Sequence, residues 1–123
     1  MMQLLTGRFT EGAPPEGFLA SMMPRMHGDN FKHNLKLVEQ VKSLATKKAC
    51  TPGQLALAWV RAQGHVSGNP SVIPIPGSTT AARTAENAKE VTLTEEELKE
   101  VTAVVDEFEP AGGRYPAGAA VAN

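Results

Sequence analysis

The chain has 123 residues, a formal net charge of −1, a hydrophobic fraction of 41% and one cysteine. This length and apolar content suit one small globular domain and argue against a disordered chain. The mixed, nearly balanced charge gives no electrostatic reason to expect nucleic acid or a membrane surface as a partner. No apolar run reaches the ~20 residues of a membrane span, and the first residues lack signal-peptide features. The sequence therefore predicts a cytoplasmic protein.

The first part of the chain is predicted to be irregular. Residues 1–9 are a short apolar run interrupted by glycine, which is typical of a strand end or an unsettled terminus. Residues 10–29 are rich in proline and glycine and predict a long loop, a kind of segment that in compact domains is usually functional or disordered.

Residues 30–64 predict two helices. The first has one buried stripe at helical spacing, formed by Phe31, Leu35, Val38, Val41, Leu44 and Ala45. The second begins at Thr51, an N-cap residue followed by Pro52 at the first helical position and by Gln54, which completes a capping box. Its body is apolar nearly all round, which predicts burial, and Gly64 is expected to end it.

The second half of the chain predicts a strand and two further helices. Residues 71–76 are apolar and β-branched and predict a short strand, although their prolines cannot donate to a ladder. Residues 77–91 predict a turn and a helix. Residues 94–109 predict the last helix, which opens with a second capping box formed by Thr94 and Glu97. Residues 110–123 are a tail with little secondary-structure signal.

The residue types that often carry chemistry do not form a catalytic or metal-binding group. Cys50 lies between two predicted helices, and we interpret it as a partly buried free thiol rather than a nucleophile. His27 and His33 lack a third ligand, so no metal site is predicted. His65 follows a glycine in a loop and is expected to be solvated.

The junction of strand and helix at "PGSTT" is the main candidate site. A helix N-terminus presents free backbone N–H groups beside hydroxyls, which suits a phosphate. Arg83 lies one turn into the helix, where its guanidinium can bind a phosphate bidentately. Glu86 and Asn87 follow on the same face and suit a purine edge or a ribose. From the residues alone, a plain helix cap with an Arg83–Glu86 surface pair remains an alternative.

Several segments resemble the aldo-keto reductase superfamily in order and spacing. They are "LLTGRF", "TPGQLALAWVRAQG", "IPIPGSTTAARTAEN", "VTLTEEELKEV" and "GGRYP", and they look most like the fungal and bacterial "IPIPG" branch. The resemblance implies an α/β fold, namely the C-terminal portion of a (β/α)8 TIM barrel. Residues 1–9 would then end strand 7 and residues 71–76 would be strand 8, giving a mostly helical unit that is incomplete as a barrel.

The resemblance also implies a cofactor, NADP. It places the adenosine-phosphate pocket on the turn and the helix after it, at Gly77, Ser78, Thr79, Arg83, Glu86 and Asn87. In the family, the arginine and the turn hydroxyls hold the 2′-phosphate and the Glu-Asn pair contacts the adenine. Gly7 and Arg8 would lie near the pyrophosphate. Many members have a lysine where Gly77 stands, so one phosphate charge is lacking here.

The activity that the resemblance implies is NADPH-dependent reduction of an aldehyde or ketone to an alcohol. The family's catalytic Asp, Tyr, Lys and His lie before the part resembled here. No catalytic residue is therefore assigned, and a truncated reductase of only these residues is expected to be inactive. NADP(H) and a small carbonyl substrate are the implied partners.

Two alternatives for function and one for folding remain open. The chain could be a non-catalytic binding or regulatory module, with self-association, or a half that is complemented by a separate N-terminal barrel half. For folding, the helices could pack through Trp59 and Val101 while residues 71–76 stay unpaired.

Overall fold

The structure is a computed structural model that describes residues 5, 9–17, 22–113, 115, 116 and 118. A short 3-10 helix precedes four α-helices: Pro24–Met26, then α1 (Gly28–Lys47), α2 (Pro52–Gln63), α3 (Ala81–Ala88) and α4 (Glu95–Glu107). In these ranges there is no β-sheet, and the β pairing is one isolated antiparallel bridge between Thr10 and Ala13. The mostly helical character predicted from the sequence is confirmed.

The main core lies where α1, α2 and α4 meet. Its buried members come from all three helices and are Leu37, Val41, Ala45, Leu55 and Val101. Trp59 packs against this cluster, and its Nε1 donates a hydrogen bond to Thr102 Oγ1 at 3.0 Å. The predicted packing through Trp59 and Val101 is therefore confirmed. The indole is half-buried and its polar edge is satisfied, as buried aromatic N–H groups require.

The buried face of α1 contains the predicted apolar stripe and two further buried residues. Phe31, Val38, Val41 and Ala45 are buried, and Leu35 and Leu44 are half-buried. Leu37, which the predicted stripe omits, is also buried. Asn34, a polar residue of the same helix, is also buried and only 2% exposed. A buried amide must find hydrogen-bond partners, and this one finds them outside α1.

Asn34 fastens the segment after α4 to the segment before α1. Its Nδ2 donates to the carbonyl oxygens of Arg25 at 3.2 Å and Ala111 at 3.0 Å, while its Oδ1 accepts from the Ala111 N–H at 2.9 Å. Arg25 Nε donates in turn to the Gly112 carbonyl at 2.9 Å. Gly112 has φ +83°, and a Cβ there would lie 3.0 Å from the Pro24 backbone. The start of the predicted tail is thus ordered by polar contacts rather than by secondary structure.

The C-terminus of α1 ends in a Schellman motif. The N–H of Cys50 donates to the Ala45 carbonyl at 3.0 Å, and the N–H of Ala49 donates to the Thr46 carbonyl at 3.1 Å. Ala49 occupies the left-handed position with φ 55°, where glycine is the usual residue. Because alanine gives no sequence signal for this turn, the motif was not predictable from composition.

Both predicted capping boxes are present. Thr51 and Gln54 exchange side-chain and backbone hydrogen bonds at the start of α2, and Thr94 and Glu97 do so at the start of α4. Glu97 also accepts from Lys48 Nζ at 2.6 Å, which ties α4 to the end of α1. The hydrogen bond from Lys48, followed by that from the Thr94 backbone, holds the pKa of Glu97 below its usual value.

Gly64 ends α2 as predicted, but not through a left-handed conformation. Its φ is −70°, in the helical region. A Cβ at this position would lie 2.8 Å from the backbone nitrogen of Val72, closer than Cβ atoms approach other atoms in proteins. The glycine is therefore required by the return of the chain across the end of α2.

The predicted strand at residues 71–76 is not formed. The structure assigns no strand to this segment, and its isoleucines are exposed, Ile73 by 85% and Ile75 by 92%. Within the described ranges no neighbouring strand runs beside it, and Pro74 and Pro76 cannot donate to a ladder. The strand predicted at residues 1–9 lies outside the described residues, apart from Leu5 and Phe9.

Candidate nucleotide site at the start of helix α3

The turn before α3 is exposed and closed by a threonine cap. Residues 77–80 are all exposed. Thr80 is the N-cap of α3, and its side chain accepts a hydrogen bond from the Arg83 N–H at 3.2 Å. Its extended backbone, φ −139° and ψ 149°, is the usual conformation of a capping residue. The cap satisfies one first-turn N–H group, and those of Ala81 and Ala82 remain directed out of the helix end.

Ser78 is held in place by the first turn of α3. Its hydroxyl donates to the Thr80 carbonyl at 2.9 Å and lies 2.9 Å from Thr84 Oγ1. Thr84 Oγ1 donates to the same carbonyl at 3.1 Å. These contacts connect Ser78 to the first turn of α3. A Cβ on Gly77 would meet nothing within 4 Å, so this glycine borders open space rather than a packed surface.

Arg83 and Glu86 do not form the surface pair that was the alternative reading of the sequence. The two ion pairs among the described residues are Lys47–Glu100 and Lys48–Glu97. The carboxylate of Glu86 instead accepts from the Thr51 hydroxyl at 2.7 Å. Arg83 and Asn87 are half-buried on the same helix. The guanidinium is thus not neutralised by the acid one turn away.

The start of α3 is the helix N-terminus best suited to an anion. The first turn of α4 holds three glutamates and that of α1 holds Asp29, whereas α3 has no acidic residue in its first turn. Helix α2 also has no acidic residue in its first turn, but its N-cap residue, Thr51, already donates a hydrogen bond to the Glu86 carboxylate. A helix N-terminus carries a partial positive charge that favours anions. At α3 this charge lies beside an exposed turn, and Arg83 is the third residue of the helix.

The structure describes six of the eight predicted site residues. Gly77, Ser78, Thr79, Arg83, Glu86 and Asn87 lie on the turn or on α3. Gly7 and Arg8 lie outside the described residues.

Sequence reasoning missed Thr80 and Thr84, which organise the turn, and Thr51 and Gln54, which hold Glu86. Thr80 followed by two alanines carried an N-cap signal. No sequence pattern indicated the long-range contacts of Thr51 and Gln54 with Glu86.

Cys50 is placed as a packing residue. It is half-buried, packs against the main core, and its burial raises the pKa of the thiol, although Lys48 acts in the opposite direction. A thiol with a raised pKa stays protonated at neutral pH and is a poor nucleophile. In the part of the chain that the structure describes, no three His, Cys, Asp or Glu residues cluster as metal ligands, and no helix is long and apolar enough to cross a membrane.

Comparison with known proteins identifies the family. The aldo/keto reductase family profile matches residues 1–106, which is most of the chain. The chain therefore belongs to the aldo/keto reductase family, as the sequence motifs predicted. No solved structure matches it.

Curated relatives agree with this assignment. The chain is 40% identical over 107 residues to the aldo-keto reductase yakc of Schizosaccharomyces pombe, whose name includes NADP(+), and 39% identical over 107 residues to an aldo-keto reductase of Gibberella moniliformis. Each match covers 85% of this chain and 30% of the relative. A probable aldo-keto reductase 1 of Glycine max is 40% identical over 94 residues, 75% of this chain and 26% of the relative. The chain thus spans about a third of the length of the relatives it matches.

Proposed function

We propose that this chain binds the adenosine-phosphate end of NADP(H), as the C-terminal portion of an aldo-keto reductase TIM barrel. The 2′-phosphate sits at the start of α3, bound by the N–H groups of the first turn, by the Thr79 hydroxyl and by Arg83. The Ser78 hydroxyl, whose one proton otherwise goes to the Thr80 carbonyl, turns to donate to the phosphate instead. Glu86 and Asn87 face the adenine. We assign Gly7 and Arg8, which lie outside the described residues, to the pyrophosphate. In the complete enzyme this cofactor reduces an aldehyde or ketone to an alcohol, and the catalytic groups come from the preceding barrel strands.

The observation that carries this proposal is the start of α3, an exposed helix end with no first-turn acid and with Arg83 outside the ion pairs of the described residues. Anions bind at helix N-termini because the N–H groups point at them and the helix dipole favours negative charge. The family membership and the NADP(+) in the name of one relative supply the chemical class of the anion.

Replacing Arg83 by methionine tests this site. Methionine keeps the length and helix propensity of the side chain but removes its charge and donors. We expect the affinity for 2′,5′-ADP, measured by titration calorimetry, to fall about tenfold, since charge-assisted hydrogen bonds contribute about 1.5–3 kcal/mol and this residue is half-exposed. The affinity for 5′-AMP, which lacks the 2′-phosphate, should change little.

Lys99→Met is the matched control. Lys99 is exposed on α4, which does not contact α3 in the described structure, so the variant loses the same charge away from the site. Its affinity for 2′,5′-ADP should equal that of the unaltered chain. An Arg83→Met variant that keeps full affinity, or an unaltered chain that does not distinguish the two nucleotides, contradicts the proposal.

A second candidate function is favoured by the exposed segment at residues 71–76. Ile73 and Ile75 point large apolar side chains into solvent on a segment without β partners in the described ranges. An unpaired apolar segment of this kind is a template for strand addition. In this alternative the chain is a complementing half that pairs through residues 71–76 with an N-terminal barrel half, and the assembly is the enzyme.

Co-expression with the N-terminal part of an aldo-keto reductase tests this alternative. A co-purifying complex that reduces a carbonyl with NADPH, and that is lost when both isoleucines are replaced by lysine, supports complementation. Recovery of only the separate chains is evidence against it. A complex that survives the lysine substitutions places the contact elsewhere.

A further inference from the structure

The capping box of α2 extends beyond its own helix to reach α3. Within the box, the Thr51 hydroxyl accepts from the Gln54 N–H at 3.2 Å, and Gln54 Oε1 accepts from the Thr51 N–H at 3.1 Å. The same hydroxyl donates to Glu86 Oε1 at 2.7 Å, and Gln54 Nε2 donates to the Glu86 carbonyl at 3.1 Å. One residue of α3 is therefore bound through both its side chain and its backbone.

The numbers of hydrogen-bond donors and acceptors on threonine and glutamine allow both residues to make these contacts at once. A hydroxyl has one proton and two lone pairs, so Thr51 can cap α2 and still donate to a carboxylate. A primary amide has an acceptor oxygen and donor hydrogens, so Gln54 can complete the box and still bind a carbonyl. The contact uses Oε1 of Glu86, and a carboxylate can accept several further hydrogen bonds.

Helix α3 depends on these contacts for its position. It has eight residues, and none of them is buried. Among the described helices it contacts only α2. Isolated helices of this length are marginal in water, and α3 has no buried apolar side chain to compensate. The hydrogen bonds from Thr51 and Gln54 are therefore what sets the placement of α3 relative to the core.

We propose that Thr51 and Gln54 are positioning residues of the nucleotide site. They touch no ligand themselves. They hold Glu86, and through it α3, so that Arg83 and the first-turn N–H groups keep a fixed geometry for the adenosine phosphate. This inference rests on the proposed nucleotide function, but the positioning of α3 can also be measured without a ligand.

The test compares Thr51→Val with Thr94→Val. Both substitutions remove the hydroxyl of a capping box, and both are expected to lower stability by similar amounts because the caps are alike. Of the two threonines, Thr51 contacts α3, whereas the Thr94 hydroxyl bonds within its own capping box. We expect Thr51→Val to weaken 2′,5′-ADP binding about tenfold, the scale of a hydrogen bond to a charged group, and Thr94→Val to leave it within about twofold.

Thr51→Ser and Gln54→Glu complete the set. Serine restores the hydroxyl and should restore affinity. Glutamate is the common capping-box partner, so it keeps the cap of α2 but loses the donor to the Glu86 carbonyl, and affinity should fall even though α2 remains capped. This second variant keeps the test valid if Thr51→Val does not fold. Equal affinities of Thr51→Val and Thr94→Val, or full affinity of Gln54→Glu, overturn the inference.

Amide hydrogen exchange separates this inference from the proposed function. Thr51→Val should speed exchange in α3 far more than Thr94→Val does, with no nucleotide present. If the unaltered chain binds no 2′,5′-ADP but this exchange pattern holds, the nucleotide function is wrong and the positioning of α3 stands. If exchange in α3 is the same in both variants, the positioning role is wrong whatever the affinity.

Discussion

Replacing Leu55 by alanine is expected to lower the free energy of unfolding by about 2–5 kcal/mol. Leu55 is 1% exposed and packs in the cluster that joins α1, α2 and α4. The substitution removes buried hydrocarbon and leaves a cavity among the other members of the cluster. Because small domains are stable by only about 5–15 kcal/mol, this change alone should bring the chain near its unfolding threshold. The measurement is a urea unfolding curve followed by circular dichroism.

Ile75→Ala is the control for Leu55→Ala. It removes an equal amount of hydrocarbon from a side chain that is 92% exposed. Its free energy of unfolding should stay within about 0.5 kcal/mol of that of the unaltered chain. A Leu55→Ala variant as stable as the control contradicts the described core. A destabilised Ile75→Ala variant shows instead that residues 71–76 are covered in solution.

Replacing Asn34 by alanine is expected to cost about 1–3 kcal/mol and to release the segment after α4. The amide makes three hydrogen bonds from a buried position, two of them to Ala111, 77 residues away in sequence. Alanine leaves the carbonyls of Arg25 and Ala111 and the Ala111 N–H without these partners. Urea unfolding measures the loss of stability, and limited proteolysis measures the release of residues 109–113.

Asn34→Asp sharpens this prediction. Aspartate keeps the acceptor for the Ala111 N–H but replaces two donors with a carboxylate facing two carbonyl oxygens. At neutral pH it should be less stable than the alanine variant. The raised pKa expected for this carboxyl in the folded chain means that stability returns as pH falls and the protonated group donates again. An aspartate variant as stable as the unaltered chain at neutral pH contradicts the role of the Asn34 hydrogen bonds to Arg25 and Ala111.

The sequence predicted the helices well because their signals are local. The capping boxes at Thr51 and Thr94, the apolar stripe of α1 and the turn at residues 77–80 can all be read from adjacent residues, and the structure contains each of them. The packing of Trp59 against the cluster around Val101 was one of the folding alternatives that the sequence left open, and the structure contains it.

What the sequence did not predict depends on residues far apart in the chain. Residues 71–76 have the composition of a strand, but a strand forms only beside another strand, and the described ranges provide none. Asn34 carries no sequence signal for burial, which depends on the carbonyls of Arg25 and Ala111. The contacts of Thr51 and Gln54 with Glu86 likewise link residues more than thirty positions apart.

The central claim, that these residues fold into a unit with a nucleotide-phosphate site at the start of α3, is tested most directly by thermal unfolding. The measurement is a far-UV circular dichroism melt of the unaltered chain and of Arg83→Met, each with and without millimolar NADPH. We expect a cooperative transition that NADPH shifts upward in the unaltered chain and much less in the variant, because a ligand that binds only the folded state must stabilise it. A broad melt that NADPH does not change, or an equal shift in both chains, contradicts the central claim.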